Sequence, residues 1–245
     1  MNSVDLGLTT PLVHTSDFDR GVLVSKAAIA KNRIAAIDGV PGVGKTTCVR
    51  QVANELDRQV ALVTLPARPK PNDLLRYTYT ALEGGSTAGM THFDLQDSVA
   101  AILSEGEWVI IVDEMQQAAA AAMAELVWLY EHTYHAFGVV VAGSGVLEAV
   151  QRHPQLATRI MGSVHFQPLS GGDLIRTVQA LDERFAATRG STLLAHDEAL
   201  CLGRLRPWAM TLEWLDTLGV HEGPVTPGVL AQIAHLMVSS EVGAA

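Results

Sequence analysis

The chain has 245 residues, and its 17 lysines and arginines against 26 aspartates and glutamates give a formal net charge of −9. Apolar residue types make up 48% and charged types 18%. This composition excludes an intrinsically disordered chain and allows one large domain, or a main domain with a small appendage. The acidic balance excludes electrostatic binding of nucleic acid over the whole surface and leaves room for a local basic patch.

Cysteine content and hydropathy predict the cellular compartment of the protein. Cys48 and Cys201 are the only two cysteines, too few for a disulfide framework, and both lie in apolar surroundings that favour free thiols. The N-terminus lacks the pattern of a secretory signal, and the most apolar stretch, 118–124, is far shorter than the ~20 residues of a membrane-spanning helix. We therefore expect a cytoplasmic protein in a reducing compartment, with no membrane contact.

Five continuous apolar runs rich in β-branched residues alternate with helical patterns, as in a parallel sheet covered by helices on both faces. The predicted strands are 34–38, 60–64, 108–113, 139–143 and 164–167. The predicted helices among them are 45–57, 72–83, 94–104, 116–135 and 146–153. After Pro168 the strands stop, and 172–188, 197–202, 207–218 and 227–239 read as helices. The sequence thus predicts an α/β domain over 1–168 and a small helical subdomain over 169–245, hinged at 167–172.

A phosphate-binding motif follows the first predicted strand. The pattern G-x-x-x-x-G-K-[ST] requires a strand before it and a helix after it, and both are predicted here. Backbone N–H groups of such a loop surround a polyphosphate, Lys45 reaches its β and γ phosphates, and the hydroxyl of Thr46 ligates Mg²⁺. The predicted nucleotide-binding residues are Gly39, Val40, Pro41, Gly42, Val43, Gly44, Lys45, Thr46 and Thr47.

Two adjacent carboxylates end the third predicted strand. Asp113 is expected to hold Mg²⁺ through its water shell, and Glu114, directed elsewhere by strand alternation, to orient and deprotonate the attacking water. With the phosphate loop, this pair predicts hydrolysis. The alternative is that the two carboxylates cap the predicted helix 116–135.

Three further polar residues are candidates for the nucleotide site. Ser144, after the fourth strand, is expected to contact the γ phosphate or the attacking water, or else to cap the following helix. Before the fifth strand, Arg159, or alternatively Arg152, suits transition-state stabilisation in a neighbouring subunit, against a surface salt bridge. Arg206 in the helical subdomain is a candidate bridge to the phosphates.

Positive charge is concentrated after the second predicted strand. Arg68 and Lys70 lie in a stretch with three prolines, and Arg76 follows in the next helix. Such cations in a stiffened segment are able to follow a phosphate backbone. The alternative is an ordinary solvated loop.

In their order along residues 30–218, these motifs resemble those of the AAA+ ATPases. The resemblance rests on Gly-Val-Pro-Gly-Val-Gly-Lys-Thr, the Val-Asp-Glu strand end, Ser144, Arg159 and the Gly-x-x-Arg that ends at Arg206. It implies a P-loop NTPase sheet of order 5-1-4-3-2 with a C-terminal helical lid. It also implies Ser144 as sensor 1, Arg159 as the arginine finger, Arg206 as sensor 2, and ATP with Mg²⁺ bound between subunits of a ring or helical filament.

Within that family, three features resemble the transposition ATPases of the TnsC, TniB and MuB type: the proline-rich stretch, the Asp-Glu-Met-Gln run and the Phe-Gln-Pro-Leu-Ser exit of the fifth strand. This resemblance implies an ATPase that oligomerises on double-stranded DNA, regulates transposition and works with a transposase. It makes Arg68, Lys70 and Arg76 candidate DNA contacts. The alternatives are a loader or remodelling ATPase that acts on a protein partner, and a nucleotide-gated switch.

Overall fold

The computed structural model describes residues 12–70, 72–83 and 85–241. Contacts among Cα atoms divide the chain into two compact units. Unit 1 comprises Asp17–Gly39 and Lys45–Phe166, and unit 2 comprises 12–16, Val40–Gly44 and the described residues from 167 onward. The loop residues 40–44 therefore group with the C-terminal helices, although they lie between a strand and a helix of unit 1.

The sheet of unit 1 has five parallel strands in the order β2-β3-β4-β1-β5. The order 5-1-4-3-2 that the resemblance implied is confirmed. The strands are β1 (Ile34–Gly39), β2 (Gln59–Thr64), β3 (Trp108–Asp113), β4 (Gly138–Gly143) and β5 (Ile160–Phe166).

The register places the polar strand ends at one edge of the sheet. Asp38 is opposite Gly143 on one side and His165 on the other, and Thr64 is opposite Asp113. Because the strands are parallel, their carboxyl ends share this edge, which is where open α/β sheets bind ligands.

The helices of unit 1 include all five that were predicted, with bounds that differ by a few residues, and two more. The predicted helix 116–135 is divided, since Glu114 takes a left-handed backbone conformation and a 3₁₀ turn, Met115–Gln117, follows it before α5 starts. Helices α1 and α7 were not predicted. The helices are α1 (Ser16–Ile29), α2 (Lys45–Asn54), α3 (Asp73–Glu83), α4 (His92–Glu105), α5 (Ala120–His132), α6 (Val146–Gln151) and α7 (Pro154–Ala157).

The core of unit 1 forms where these helices pack on the central strands. All six residues of β1 and of β4 are buried, as expected for strands covered on both faces. β5 is an edge strand whose exposure alternates, and Met161 and Ser163 are solvent-exposed. This alternation explains why the apolar run 164–167 predicted only the end of β5.

Unit 2 is helical. The predicted helix 172–188 is divided at Asp182, where the backbone is extended and the carboxylate accepts a hydrogen bond from the backbone N–H of Arg184 at 2.8 Å. Helix α10 was not predicted. The elements are α8 (Gly171–Leu181), α9 (Glu183–Ala186), α10 (Gly190–His196), a π-helical turn (Asp197–Cys201), α11 (Leu205–Thr217) and α12 (Pro227–Glu241).

A buried carboxylate organises the core of unit 2. Asp197 is 8% exposed, and its oxygens accept hydrogen bonds from the backbone N–H of Gly203 and from the indole Nε1 of Trp208, all at 3.0 Å. Trp208 is fully buried against Phe185. Asp197 thereby fixes the turn at 202–204, which precedes α11.

Each unit contains one free, fully buried cysteine, Cys48 in unit 1 and Cys201 in unit 2. Burial raises the pKa of the Cys48 thiol to about 12, and burial likewise raises the pKa of the Cys201 thiol well above its ordinary value. Both side chains thus behave as small apolar groups in their cores. Among the helices that the structure describes, none combines the length and apolarity of a membrane span.

We expect Asp197→Ala to destabilise unit 2 by about 2–4 kcal/mol, because it leaves two buried N–H donors without an acceptor. Denaturant unfolding followed by tryptophan fluorescence measures this. Glu213→Ala is the control, since Glu213 is an exposed residue of α11, and it should change stability by less than about 0.5 kcal/mol. Equal effects of the two substitutions would contradict the role given to Asp197.

Candidate nucleotide-binding site

The predicted phosphate loop starts at the end of β1 and stops where α2 starts at Lys45. Gly39 has φ +142°, and a Cβ atom there would lie 2.6 Å from the carbonyl oxygen of Phe166. Only glycine therefore fits where the chain leaves the sheet. The motif needs this strand–loop–helix context, and the structure provides it.

Lys45 lies between the ends of two strands. Its side chain is buried, and its Nζ donates hydrogen bonds to the carbonyl oxygen of Gly39 at 2.7 Å and to the Oγ of Ser144 at 3.0 Å. The structure thus brings Ser144 and the motif lysine together. The capping alternative for Ser144 is wrong, because Gly145, not Ser144, is the N-cap of α6.

Thr46 and Asp113 meet at the predicted magnesium site. The Thr46 hydroxyl donates a hydrogen bond to Oδ2 of Asp113 at 2.8 Å, and the backbone N–H of Glu114 donates to Oδ1 at 2.9 Å. Asp113 is 3% exposed. Burial raises its pKa above the ordinary 3.8, against the lowering by these two hydrogen bonds. A cation beside this carboxylate would offset the cost of keeping it ionised in a buried place.

Glu114 follows β3 and is not directed by strand alternation as predicted. It has φ +58°, in the left-handed region, and its Oε2 accepts a hydrogen bond from the Nε2 of Gln116 at 2.6 Å. The capping alternative for the acidic pair is wrong as well. Glu114 precedes the 3₁₀ turn with no side-chain capping bond, and the N-cap of α5 is Ala119.

Within unit 2, the centre of the loop is bonded to the start of α11. The carbonyl oxygen of Gly42 accepts hydrogen bonds from the backbone N–H groups of Leu205 and Arg206, at 2.8 and 3.1 Å. Gly42 has φ +86°, and a Cβ atom there would lie 3.2 Å from that of Arg206. The exposed side chain of Arg206 therefore begins next to the loop, and its contact with the phosphates stays a prediction.

The two candidate trans-acting arginines have partners within this chain. Arg152 forms an exposed ion pair with Glu148, one helical turn away. The Nε of Arg159 bonds Oε1 of Glu131 at 2.5 Å, and this hydrogen bond lowers the pKa of Glu131. The surface ion pairs expected as the alternative are present for both residues. The choice between Arg152 and Arg159 for a neighbouring subunit stays a prediction.

The predicted DNA-contacting cations separate into two groups. Arg68 and Lys70 are exposed after β2. Arg76 is half-buried in α3, and its guanidinium donates to the Thr87 carbonyl and hydroxyl oxygens at 2.9 and 3.0 Å, with a longer bond to the Met90 carbonyl. Since these bonds use three of the five N–H donors of the Arg76 guanidinium, the structure favours an internal role for Arg76 over its predicted contact with DNA.

Two further polar groups at this edge were not predicted. Asp38 is buried, its Oδ2 lies 2.6 Å from Nδ1 of His165, and its Oδ1 has no hydrogen-bond partner in the described part of the chain. Gln116 bonds Glu114. An aspartate that ends an apolar strand directly before the motif was the available signal for the first group, and the Asp-Glu-Met-Gln run was the signal for the second.

The strand–loop–helix motif, the Lys45 contacts and the Thr46–Asp113 pair together define a P-loop nucleotide-binding site. The sequence model of the family described as "AAA domain" matches residues 29–151, half of the chain. The protein therefore belongs to the AAA domain family.

Similar proteins of known identity agree with this assignment. The Holliday junction branch migration complex subunit RuvB of Pediococcus pentosaceus is 45% identical over 53 residues, 20% of this chain and 16% of that protein. The chain thus spans about one sixth of the length of this curated relative.

Solved structures share the fold. The RuvB branch migration motor of Thermotoga maritima has a TM-score of 0.61 at 14% identity, over 91% of this chain and 70% of that one. Cdc6p of Pyrobaculum aerophilum has a TM-score of 0.69 at 12% identity, over 88% and 67%. Drosophila ORC bound to DNA has a TM-score of 0.63 at 19% identity, over 93% and 62%. At these identities the likeness concerns the fold alone.

We expect Asp113→Asn to leave the ligand-free protein at least as stable as the wild type at neutral pH. A carboxyl group whose pKa is raised on folding binds protons more tightly in the folded state, so its ionisation lowers stability as pH rises above its ordinary pKa. Thermal unfolding across acidic to neutral pH should show this decrease in the wild type and a smaller one in the variant.

The same variant should lose the stabilisation that ATP gives in the presence of Mg²⁺. A ligand at 100 times its Kd adds ~2.7 kcal/mol, or ~5–11 °C in the melting temperature of a chain of this size. Asp113→Asn should keep only the part of that shift seen in EDTA. A full magnesium-dependent shift in the variant would contradict the metal role of Asp113.

Proposed function

We propose that this protein binds and hydrolyses ATP in a magnesium-dependent manner, and that it assembles on double-stranded DNA to regulate transposition. The observation that carries the ATPase proposal is the pairing of Thr46 with Asp113 at 2.8 Å, next to a buried Lys45 that reaches Ser144. These four side chains come from three separate elements of the chain. Apolar side chains would pack at this edge of the sheet at a lower cost in free energy, so packing alone does not explain why these polar groups converge there.

The residues present fit ATP and Mg²⁺. The Thr46 hydroxyl and the Asp113 carboxylate are the hard oxygen groups that Mg²⁺ prefers. The Lys45 ammonium is bonded to two neutral oxygens, for which phosphate oxygens are stronger substitutes. Bound Mg²⁺ would neutralise charge on the β and γ phosphates.

Each polar residue then has a distinct task. Lys45 holds phosphate oxygens from the start of α2 and Ser144 does so from the end of β4, and Glu114 orients the attacking water and accepts its proton. Arg206 contacts the phosphates from the start of α11. Arg159 or Arg152 stabilises the developing charge in a neighbouring subunit of a ring or helical filament.

The DNA-binding proposal concerns Arg68 and Lys70, the exposed cations after β2. One subunit with a net charge of −9 binds DNA weakly through two cations. Many aligned subunits add their contacts, so an ATP-dependent oligomer binds collectively. The resemblance of the proline-rich stretch and of the Asp-Glu-Met-Gln run to transposition ATPases supports a transposase as the protein partner.

A second candidate is a loader or remodelling ATPase that acts on a protein. The bonds of Arg76 within its own chain favour this candidate, because they leave only two of the three predicted cations for DNA. The same ATPase site serves both functions.

Glu114→Gln should bind ATP with unchanged affinity and hydrolyse it about 10²–10⁴ times more slowly, because the amide cannot accept the proton of the attacking water. Fluorescent-nucleotide titration measures binding, and phosphate release measures turnover. Glu105→Gln, at the exposed C-terminal end of α4, is the control and should retain full turnover. Normal turnover in Glu114→Gln would remove Glu114 from the mechanism.

Electron microscopy and sedimentation with duplex DNA test assembly in ATP and in ADP. We expect rings or filaments on DNA in ATP alone, with an affinity that falls steeply with salt. Arg68→Ala combined with Lys70→Ala should weaken DNA binding and reduce the salt slope. Arg176→Ala, which removes an exposed cation of α8, is the control and should leave the salt slope unchanged. Assembly that ignores DNA and nucleotide would favour the loader, as would a genomic neighbourhood without a DDE-type transposase.

A further inference from the structure

The Gln116 amide links two parts of the nucleotide site. Gln116 is the second residue of the 3₁₀ turn Met115–Gln117, and its Nε2 donates the 2.6 Å hydrogen bond to Oε2 of Glu114. Glu114 itself has the left-handed φ of +58°, which is uncommon for a residue with a side chain. The direction of the Glu114 carboxylate is therefore set by an unusual backbone conformation together with one side-chain partner.

The other end of the Gln116 amide occupies the place of a missing side chain. A Cβ atom built on Gly143 would lie 1.7 Å from Oε1 of Gln116 and 2.9 Å from its Cδ. The backbone of Gly143 does not have the positive φ that would itself demand glycine. Glycine at this position thus makes room for the Gln116 amide, not for a turn.

The space beside Gly143 that holds the Gln116 amide, called the seat below, has a cost in stability. Oε1 of Gln116 is buried and, within the described part of the chain, has no hydrogen-bond partner. Burying an unpaired amide oxygen costs ~1–3 kcal/mol. An apolar side chain of the same length would avoid that cost but lose the bond to Glu114. The two effects are of similar size, so folding stability gives little net reason for a glutamine here. Uncompensated costs of this kind are typical of residues that serve function.

The seat is also adjacent to the residue that contacts Lys45. Gly143 ends β4 and directly precedes Ser144, whose Oγ accepts the 3.0 Å hydrogen bond from the Lys45 amino group. Gln116 therefore contacts Glu114 at one end and the backbone next to Ser144 at the other. Displacement of either group changes the packing of the same amide.

We propose that Gln116 is a positioning residue that holds the Glu114 carboxylate for attack on ATP, with Gly143 as its seat. This inference rests on the proposed ATPase function. Gln116 itself takes no proton and contacts no phosphate. It fixes one oxygen of the Glu114 carboxylate and ties the orientation of that carboxylate to the strand end that carries Ser144.

The first test replaces Gln116 by Met, which keeps the length of the side chain and removes the donor. We expect kcat to fall about tenfold or more, since small misplacements of reacting groups are costly, while KM and nucleotide affinity stay within about twofold. The melting temperature should change little, because the unpaired oxygen and the bond to Glu114 are removed together. Gln117→Met in the same turn is the control and should keep kcat within about twofold.

A purely structural role predicts the opposite pattern. If Gln116→Met lowered the melting temperature and left kcat unchanged, the inference would be overturned. A fall in kcat accompanied by an equal loss of nucleotide affinity would overturn it too, because Gln116 would then support the binding site as a whole.

The second test is a double-mutant cycle with Gly143→Ala. The new methyl group would exclude the Gln116 amide from its seat, so this variant should lower kcat as Gln116→Met does. In a Gln116→Ala background the two atoms nearest that methyl group are gone, and the third nearest, the backbone nitrogen of Met115, lies at 3.3 Å. There, Gly143→Ala should have little further effect, and the two substitutions should be strongly non-additive.

The outcomes separate this inference from the proposed function. A wild-type protein that binds ATP without hydrolysing it refutes the ATPase proposal, and this inference falls with it. Turnover that depends on Glu114 but is unaffected by Gln116→Met, Gln116→Ala or Gly143→Ala refutes the positioning role alone. Independent, additive effects of positions 116 and 143 refute the seat.

Discussion

The site depends on a carboxylate kept in a place where ionisation is unfavourable. Asp113 is almost fully buried at the end of an apolar strand, and its burial outweighs the hydrogen bonds from Thr46 and from the Glu114 backbone in setting its pKa. A group of this kind reduces the stability of the empty protein and favours binding of a cation. The strand order then determines what surrounds it, because β4 and β1 bring Ser144 and the phosphate loop to the same edge.

The polar side chains of the site mostly have hydrogen-bond partners within the chain. Lys45 bonds Gly39 and Ser144, Thr46 bonds Asp113, Glu114 bonds Gln116, and Arg159 bonds Glu131. Nucleotide binding must therefore exchange existing hydrogen bonds for new ones, and the net gain is smaller than the new contacts alone suggest. The contacts best suited to exchange are those of Lys45 with the uncharged oxygens of Gly39 and Ser144.

Much of the fold could be predicted from the sequence, because continuous apolar strands and glycine-rich turns are local signals. The phosphate loop, the Asp113 position and the proximity of Ser144 to Lys45 followed from strand ends that share one edge. The direction of the Glu114 side chain did not, since it depends on a left-handed backbone conformation that the presence of a glutamate does not predict.

Other features depend on partners far away in the sequence. The internal bonds of Arg76 require the 87–90 segment to fold back on α3. The predicted helix 172–188 is divided at Asp182, and the nearby Arg184 donates a hydrogen bond to the distant carboxylate of Asp216. The seat of Gln116 requires a glycine 27 positions later to lack a side chain. Local patterning contains none of these pairings, and tertiary contacts override it at each place.

The distribution of the two thiols has a practical consequence. Each unit holds one cysteine in its interior, Cys48 in one and Cys201 in the other. A thiol so shielded reacts with a disulfide reagent only when its own surroundings open. The wild-type chain thus carries a separate thiol reporter in each unit. Rates of thiol–disulfide exchange at Cys48 and Cys201, with and without nucleotide, would reveal which unit opens more readily.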